Sequence, residues 1–235
     1  MTDFAYAGQE LEQARHATNW KAYFGSRLAK YVRGRVLEVG AGLGGTTVHL
    51  RTGSQSEWVC LEPDGALATE LAASLAANPS PVPTRIVVGD ISALDPAERF
   101  DCILYVDVLE HIQDDTGELA RATKHLAKGG ALVVLCPAFP LLFSAMDAAL
   151  GHFRRYTART LAAVFPRELQ RREVFYLDSL GMVASLANKF VLRQNAPGGG
   201  QVKFWDGFII PISRVLDRLV RYAAGRSVIA VFGKP

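Results

Sequence analysis

The sequence is poor in the features that would assign it at a glance. Its 235 residues include 3 cysteines, Cys60, Cys102 and Cys136, each inside an apolar run and none in a C-x-x-C pair. A disulfide scaffold and a thiolate metal knuckle are thereby excluded, and three reduced core thiols in a cytoplasmic protein are expected. No uninterrupted apolar run reaches membrane-spanning length, so no stable membrane insertion is expected. The formal net charge is only +3, too weak an imbalance to argue for a nucleic-acid partner. The opening Met1-Thr2-Asp3-Phe4 has no basic stretch leading into an apolar one, so no secretory signal is expected. There is no internal repeat, and Gly198-Gly199-Gly200 is the one low-complexity tract. Hydrophobic residues make up 49%, an ordinary share for a globular chain. The length suits a single α/β domain with an insertion.

What the chain does have is a glycine corner. Val36, Leu37 and Val39 form a short strand-favouring run, and Gly40, Gly42 and Gly45 follow with G-x-G-x-x-G spacing before a helix start. Residues without a Cβ let the backbone approach a ligand closely, so strand, turn and helix make a nucleotide-binding corner. Glu62 ends the next apolar run, Trp58-Val59-Cys60-Leu61, at the interval where a carboxylate grips ribose hydroxyls. Glu38 stands two residues before the first glycine. A pyrophosphate on this loop would be repelled by that carboxylate, whereas a cationic ligand would not.

The run Val36-Leu37-Glu38-Val39-Gly40-Ala41-Gly42-Leu43-Gly44 resembles the first motif of class I S-adenosylmethionine-dependent methyltransferases, in particular their bacterial small-molecule branch. The resemblance implies S-adenosylmethionine as cofactor, with Glu38, Gly40, Ala41, Gly42, Glu62 and Pro63 around it. Asp90 and Ile91 resemble the pair that holds and covers the adenine, although a turn cap is the plainer use of Asp90. Val106-Asp107-Val108-Leu109-Glu110-His111 resembles the family's fourth motif, with Val106 and Asp107 beside the methionine part of the cofactor. The Asn/Asp-Pro-Pro-Tyr/Phe quartet of base- and glutamine-modifying members is missing.

Along the chain, residues 9 to 32 read as a helical cap (1–33) with Leu11, Ala14, Thr18, Ala22 and Leu28 at helical intervals. It either packs on the sheet or closes over the ligand, with Tyr6 expected to touch the acceptor and Trp20 the cofactor. Asp64 is read as the cap of a helix facing inward through Leu67, Leu71 and Leu75. Strands are expected at 85–89, 100–106, 131–136, 173–177 and 227–232, alternating with helices over the first five, hence a doubly wound, mostly parallel sheet. A helix carrying Leu119, Ala122 and Leu126 inward is expected to run to Lys128-Gly129-Gly130. The family resemblance implies seven strands in the order 3-2-1-4-5-7-6, the last antiparallel.

The acceptor side is read from two stretches. Pro137 to Tyr156 is a long connection leaving the carboxyl edge of the sheet, where ligands bind in such folds. Its Phe139, Arg154 and Arg155 are candidate acceptor contacts, and His152 and Tyr156 candidate proton carriers alongside His111. Ties of the arginines to Asp147, and a fastening role for His111, are the structural alternatives. The second stretch, 178–226, is expected to be a helical lid, with Ile209, Ile212, Leu216, Leu219 and Val220 on its apolar face and Asp217 on its polar face. A homodimer surface or a contact with a lipid-linked acceptor are alternative uses of it.

The function that follows is methyl transfer to an oxygen or nitrogen of a small-molecule acceptor, such as a bacterial secondary metabolite. A lipid-linked or glycan acceptor is the alternative within that class. An NAD(P)-dependent oxidoreductase and a non-catalytic S-adenosylmethionine-binding module are the alternatives outside it. No metal is expected, because Glu110, His111, Asp114 and Asp115 show no ligand spacing.

Overall fold

The structure, a computed structural model, describes residues 17–192 and 199–235. Along the chain these form α1 (Thr18–Leu28), β1 (Gly34–Val39), α2 (Gly45–Leu50), β2 (Gln55–Glu62), α3 (Gly65–Ala77), β3 (Thr84–Val88) and β4 (Phe100–Val106). Then follow α4 (Asp115–Lys124), β5 (Leu126–Pro137), α5 (Ala145–Ala149), α6 (Ala158–Ala163) and β6 (Gln170–Leu177). The chain closes with α7 (Ser179–Ala187), α8 (Gly199–Phe204), α9 (Ile210–Leu219) and β7 (Ser227–Gly233).

The seven strands form one sheet in the order β3-β2-β1-β4-β5-β7-β6, as the sequence led us to expect. β1 to β5 pair in parallel, and β7 runs antiparallel to both of its neighbours. β4 pairs with β1 and β5 on its two sides and is buried on both faces, which explains its continuous apolar run. Ile103 and Tyr105 point into one core layer, with Leu37, Leu119 and Leu132. Cys102 and Leu104 point into the other, with Val36, Trp58, Phe24 and Leu28. All three cysteines are free and buried.

Three expectations are corrected. The fourth helix ends at Lys124 rather than at the glycines, and Leu126 already belongs to β5. The Phe100 N–H donates to the His125 carbonyl and the Gly129 N–H to Lys234, so sheet pairing takes over two residues after the helix ends. In α1 the inward residues are Trp20, Lys21, Tyr23, Phe24 and Leu28, while Thr18 and Ala22 face solvent. On α3 the expected Leu71 is buried together with Ala68 and Ser74, while Leu67 and Leu75 are only half-buried, and Asp64 caps the helix through the Ala66 and Leu67 N–H groups.

The insertion between β6 and β7 is helical, with Ile209, Ile212 and Leu216 half-buried but the buried face of α9 rotated from the one expected. Its buried residues on α9 are Ile210, Ser213 and Asp217, whereas Leu219 is 74% exposed. The reason is polar. The Asp217 carboxylate accepts from the Tyr23 hydroxyl (2.8 Å) and the Asp178 and Ser179 N–H groups (2.7 and 2.8 Å). Asp178 in turn accepts from Gly181 N–H, the Ser213 hydroxyl and the Trp205 indole. Asp206 completes the set. Ala17 precedes α1 without a side-chain cap, and Asp206 accepts instead from the Asn19 and Trp20 N–H groups, 186 residues away at Trp20 (2.8 Å). These buried carboxylates satisfy helix-end donors that would otherwise be orphaned, so α9 buries its acid and leaves apolar side chains outside.

Candidate active site

The glycine corner is built by contact as much as by backbone angle. Gly40 has φ +68, and a Cβ there would stand 2.6 Å from Val108. Gly44, not one of the three motif glycines, caps α2 in the left-handed region (φ 78). Glu62 organises the turn: it accepts from Gly42 N–H at 2.7 Å and from Asp64 N–H at 3.1 Å. Pro63 lies between these two contacts, in an exposed position, and Ala41 is buried, its N–H donating to the Leu61 carbonyl.

Glu38 is placed differently from the direct role expected of it. It is 2% exposed, and its Oε2 accepts from the Thr47 hydroxyl (2.6 Å) and the Trp58 indole (2.9 Å). Burial pushes its carboxyl up to about 7, against those two hydrogen bonds. Glu38 therefore braces β1 against α2 and β2 from beneath the loop. Asp90 caps the short turn Ile91–Ala93 through Ser92 N–H, and the two Ser92 hydrogen bonds hold its carboxyl below the ordinary value. Asp90 stays exposed at the end of β3 while Ile91 is buried.

The end of β4 is the floor of the cleft. Val106 is half-buried, and Asp107 turns into the left-handed region (φ 53) with its N–H on Leu135. The Asp107 side chain meets solvent yet has protein packed around it, as expected at the bottom of a cleft. That burial pushes its carboxyl up to about 6, opposed in turn by His152, Arg226, Lys21 and Arg155. Lys21 and Arg226 carried no signal in the sequence. Lys21 looks like any lysine on an amphipathic helix, yet it is 6% exposed, and burial lowers it to about 8 against the pull of Asp206 and Asp107.

The Trp20 ring lies 5.4 Å from Phe24 and 5.8 Å from Trp205, where α1 meets the insertion, in the buried layer that also holds Ala41 of the glycine loop. Tyr6 lies outside the described residues.

In the connection after β5, Ala138 bridges to Tyr156 and Phe139 takes φ 59 while its ring stacks on Tyr176 at 4.9 Å. The buried Asp147 is the hub. It accepts from Ser144 N–H and hydroxyl, from Arg155 (2.7 and 3.1 Å) and faces His152 Nδ1 at 3.1 Å. Burial opposes ionisation of Asp147, but the His152 and Arg155 bonds outweigh it and hold the carboxyl below the usual range. Arg155 is thus spent on Asp147. Arg154 is paired with Asp115 (2.6 Å) and the Gln113 carbonyl.

The geometry corrects the expected role of Tyr156. Its ring is 2% exposed and its hydroxyl donates to Asp115 at 2.8 Å. Burial and that bond raise the phenol well above its ordinary value. A phenol donating into a carboxylate inside the core is a tie, not a proton carrier at a reacting atom. His111 and His152 do come together, ring centres 4.5 Å apart and perpendicular. Desolvation, and then the neighbouring His152, lower His111 to about 4, so it is neutral near pH 7.

A sequence model described as a methyltransferase domain matches residues 11–169, most of the chain and all of the sheet up to β5. The chain belongs to the methyltransferase-domain family. No curated protein sequence matches it. Solved structures similar in fold include the N-methyltransferase NodS from Bradyrhizobium japonicum WM9 in complex with S-adenosyl-L-homocysteine, at 16% identity and TM-score 0.57, covering 96% of this chain and 88% of that one. A second is an S-adenosylmethionine-dependent methyltransferase from Clostridium acetobutylicum ATCC 824, at 12% identity and TM-score 0.58, covering 92% and 90%. A third is the [4+2]-cyclase SpnF, at 14% identity and TM-score 0.60, covering 89% and 81%. This methyltransferase is of class I, with the strand order of that class, and its methyl donor is S-adenosylmethionine.

The residues present fit that cofactor. The corner around Gly40 is a cradle a Cβ would fill, Glu62 is positioned by the loop it organises, and Asp107 offers a carboxyl at the cleft floor. An anionic pyrophosphate would meet the Asp107 carboxylate as a like charge; the ammonium and sulfonium of S-adenosylmethionine meet it as an opposite one.

Proposed function

We propose that this methyltransferase moves the methyl group to an oxygen or nitrogen of a small-molecule acceptor held between the connection after β5 and the insertion, a secondary metabolite being the kind of compound meant. One observation carries the reading. Asp107, where the methionine end of the cofactor belongs, lies within the electrostatic reach of His152 and Arg155 of the connection, Lys21 of α1 and Arg226 at the end of the insertion. Lys189 of the insertion also donates to the Leu141 and Phe143 carbonyls of the connection. Both segments therefore converge over the carboxyl end of β4. The cofactor brings the reactive group, and the protein aligns donor and acceptor and excludes water.

In this reading Glu62 grips the ribose, Asp90 the adenine amino group, and Val106 and Asp107 the methionine part. Phe139 walls the acceptor pocket, and His152, half-buried and oriented by Asp147, is the polar group that meets the acceptor. A panel of hydroxyl- and amine-bearing metabolites with S-adenosylmethionine tests it. S-adenosylhomocysteine should form only with the right acceptor, which gains one methyl on O or N. A panel in which binding of the cofactor is normal and no compound gains a methyl would overturn it.

A second reading, an acceptor with a lipid tail, is favoured by one feature. Phe204 and Phe208 stack at 5.3 Å, each 57% exposed, and Val215 and Leu219 continue their side of the helix into solvent. Exposed Lys203, Arg214 and Arg218 flank that stripe, the composition of a helix that lies on an anionic membrane surface. No helix among the described residues is long and apolar enough to cross a membrane. Methyl gain only on lipid-linked compounds presented in vesicles would select this reading over the first.

A further inference from the structure

Glu110 is the anomaly of the cleft. It is 0% exposed, and neither carboxylate oxygen has a hydrogen-bond partner. The Asp107 carboxyl and the Cys136 thiol are among its polar neighbours. A buried carboxyl left without a hydrogen bond is costly, and folds retain such a group when something compensates it.

Two imidazoles face it. One ligand atom each from Glu110, His111 and His152 lie within 4.8 Å of one another. The fold makes this meeting through the Phe153 N–H, which donates to the Glu110 carbonyl at 2.8 Å and draws the end of the connection against β4. Each histidine is already oriented from behind. His152 directs Nδ1 to the Asp147 carboxylate, leaving Nε2 free to turn inward, and the Leu150 carbonyl faces the His111 ring. Imidazoles anchored through one nitrogen by a carboxylate or carbonyl, with the other nitrogen pointing at a shared centre, are the arrangement that metal-ligating histidines adopt.

We propose that Glu110, His111 and His152 bind one divalent first-row transition-metal ion at the edge of the cleft. Bonds of about 2.1 Å bring tetrahedral ligand atoms to roughly 3.4 Å from one another, so groups within 4.8 Å of one another need close by at most about 1.4 Å, which side-chain rotation supplies. Two nitrogens and one carboxylate suit Zn2+, Co2+ or Mn2+ over Mg2+ or Ca2+, which prefer all-oxygen shells. His111 is on the solvent side, so the remaining coordination positions open towards the cleft, where an acceptor oxygen can reach them. That use of the ion rests on the methyl-transfer reading above; uptake of the ion does not.

The test uses the full-length protein, treated with a chelator and dialysed. Titration with CoCl2 should give visible d–d absorption that saturates at one equivalent and is displaced by ZnCl2. Glu110→Gln and His152→Ala should each weaken uptake at least 100-fold, and Asp147→Asn about 10- to 100-fold as a supporting partner. His111→Ala, at the exposed rim, covers the case in which Glu110→Gln does not fold. S-adenosylhomocysteine titrated into the same stripped protein reports the cofactor site separately. The proposal is overturned if stripped protein that binds S-adenosylhomocysteine takes up no Co2+ or Zn2+, or if the histidine variants bind either ion as tightly as the wild type. Metal uptake without S-adenosylhomocysteine binding would leave the site standing and count against the methyl-transfer reading instead.

Discussion

The two halves of the cleft are built by different means. On the cofactor side, from β1 to β4, the working groups belong to short contiguous motifs, and their partners lie one turn or one neighbouring strand away: Glu62 on Gly42, Glu38 on Thr47 and Trp58. On the acceptor side a local hub at Asp147 is joined by partners distant in sequence: Asp217 with Tyr23, Asp206 with Trp20, His152 with Glu110. Local construction makes a site readable and tolerant of change elsewhere. Distant construction makes it adaptable to a different acceptor, because few of its contacts are fixed by backbone geometry. The comparison should hold under perturbation.

The largest effect expected is from Asp217→Ala. It strands the Tyr23 hydroxyl and two helix-end N–H groups in a buried place, and should cost about 3–5 kcal/mol of stability, read by chemical denaturation. If the halves are separable, the folded variant keeps its S-adenosylhomocysteine affinity; loss of both together would break the comparison.

Glu38 gives the pH dependence of the cofactor half. Its folded carboxyl lies at about 7, above its ordinary 4.5, so the folded state holds a proton that the unfolded state releases. Stability from this group is full below about pH 4.5 and is lost as pH rises through 7, a change on the order of 2–3 kcal/mol. Thermal unfolding at pH 5 and pH 8 measures it, and Glu38→Gln should flatten the difference.

Glu62→Ala should weaken cofactor binding by about 1.5–3 kcal/mol, from the lost ribose bond and the loosened Gly42 turn. Turnover at saturating cofactor should fall less. Tyr156→Phe removes one buried hydrogen bond to Asp115 and should lower stability by about 1 kcal/mol, with kcat within a few-fold. A hundredfold drop in kcat at unchanged stability would restore Tyr156 as a proton carrier. Asp90→Ala should be the mildest, raising the cofactor dissociation constant less than Glu62→Ala does, since one neutral amine is involved.

The same contrast decides what could be read from the sequence. The strand run Phe100–Val106, the Asp64 cap and the strand order were legible because periodicity, glycines and a family motif agree there. The helix before β5 was overrun, because Leu126 fits a helical face as well as a strand and only the pairing of Phe100 with Leu126 decides. The buried face of α9 was rotated from the expected one for a physical reason: pattern reading puts leucine inside and aspartate outside, and buried helix ends that need an acceptor draw Asp217 in while Leu219 stays out. Glu62 was singled out by its interval after the glycines, and Asp107 by its place in a stretch that resembles a family motif. Lys21, Arg226 and the meeting of His152 with Glu110 were not, because each depends on the fold bringing distant segments together.

The account rests on the corner between β1 and α2 holding S-adenosylmethionine, and isothermal titration of the purified protein with S-adenosylhomocysteine and, separately, NADH measures that directly. The account predicts micromolar binding of S-adenosylhomocysteine at one site per chain, weakened in Glu62→Ala, with no heat from NADH. Saturable NADH binding with none for S-adenosylhomocysteine would contradict it.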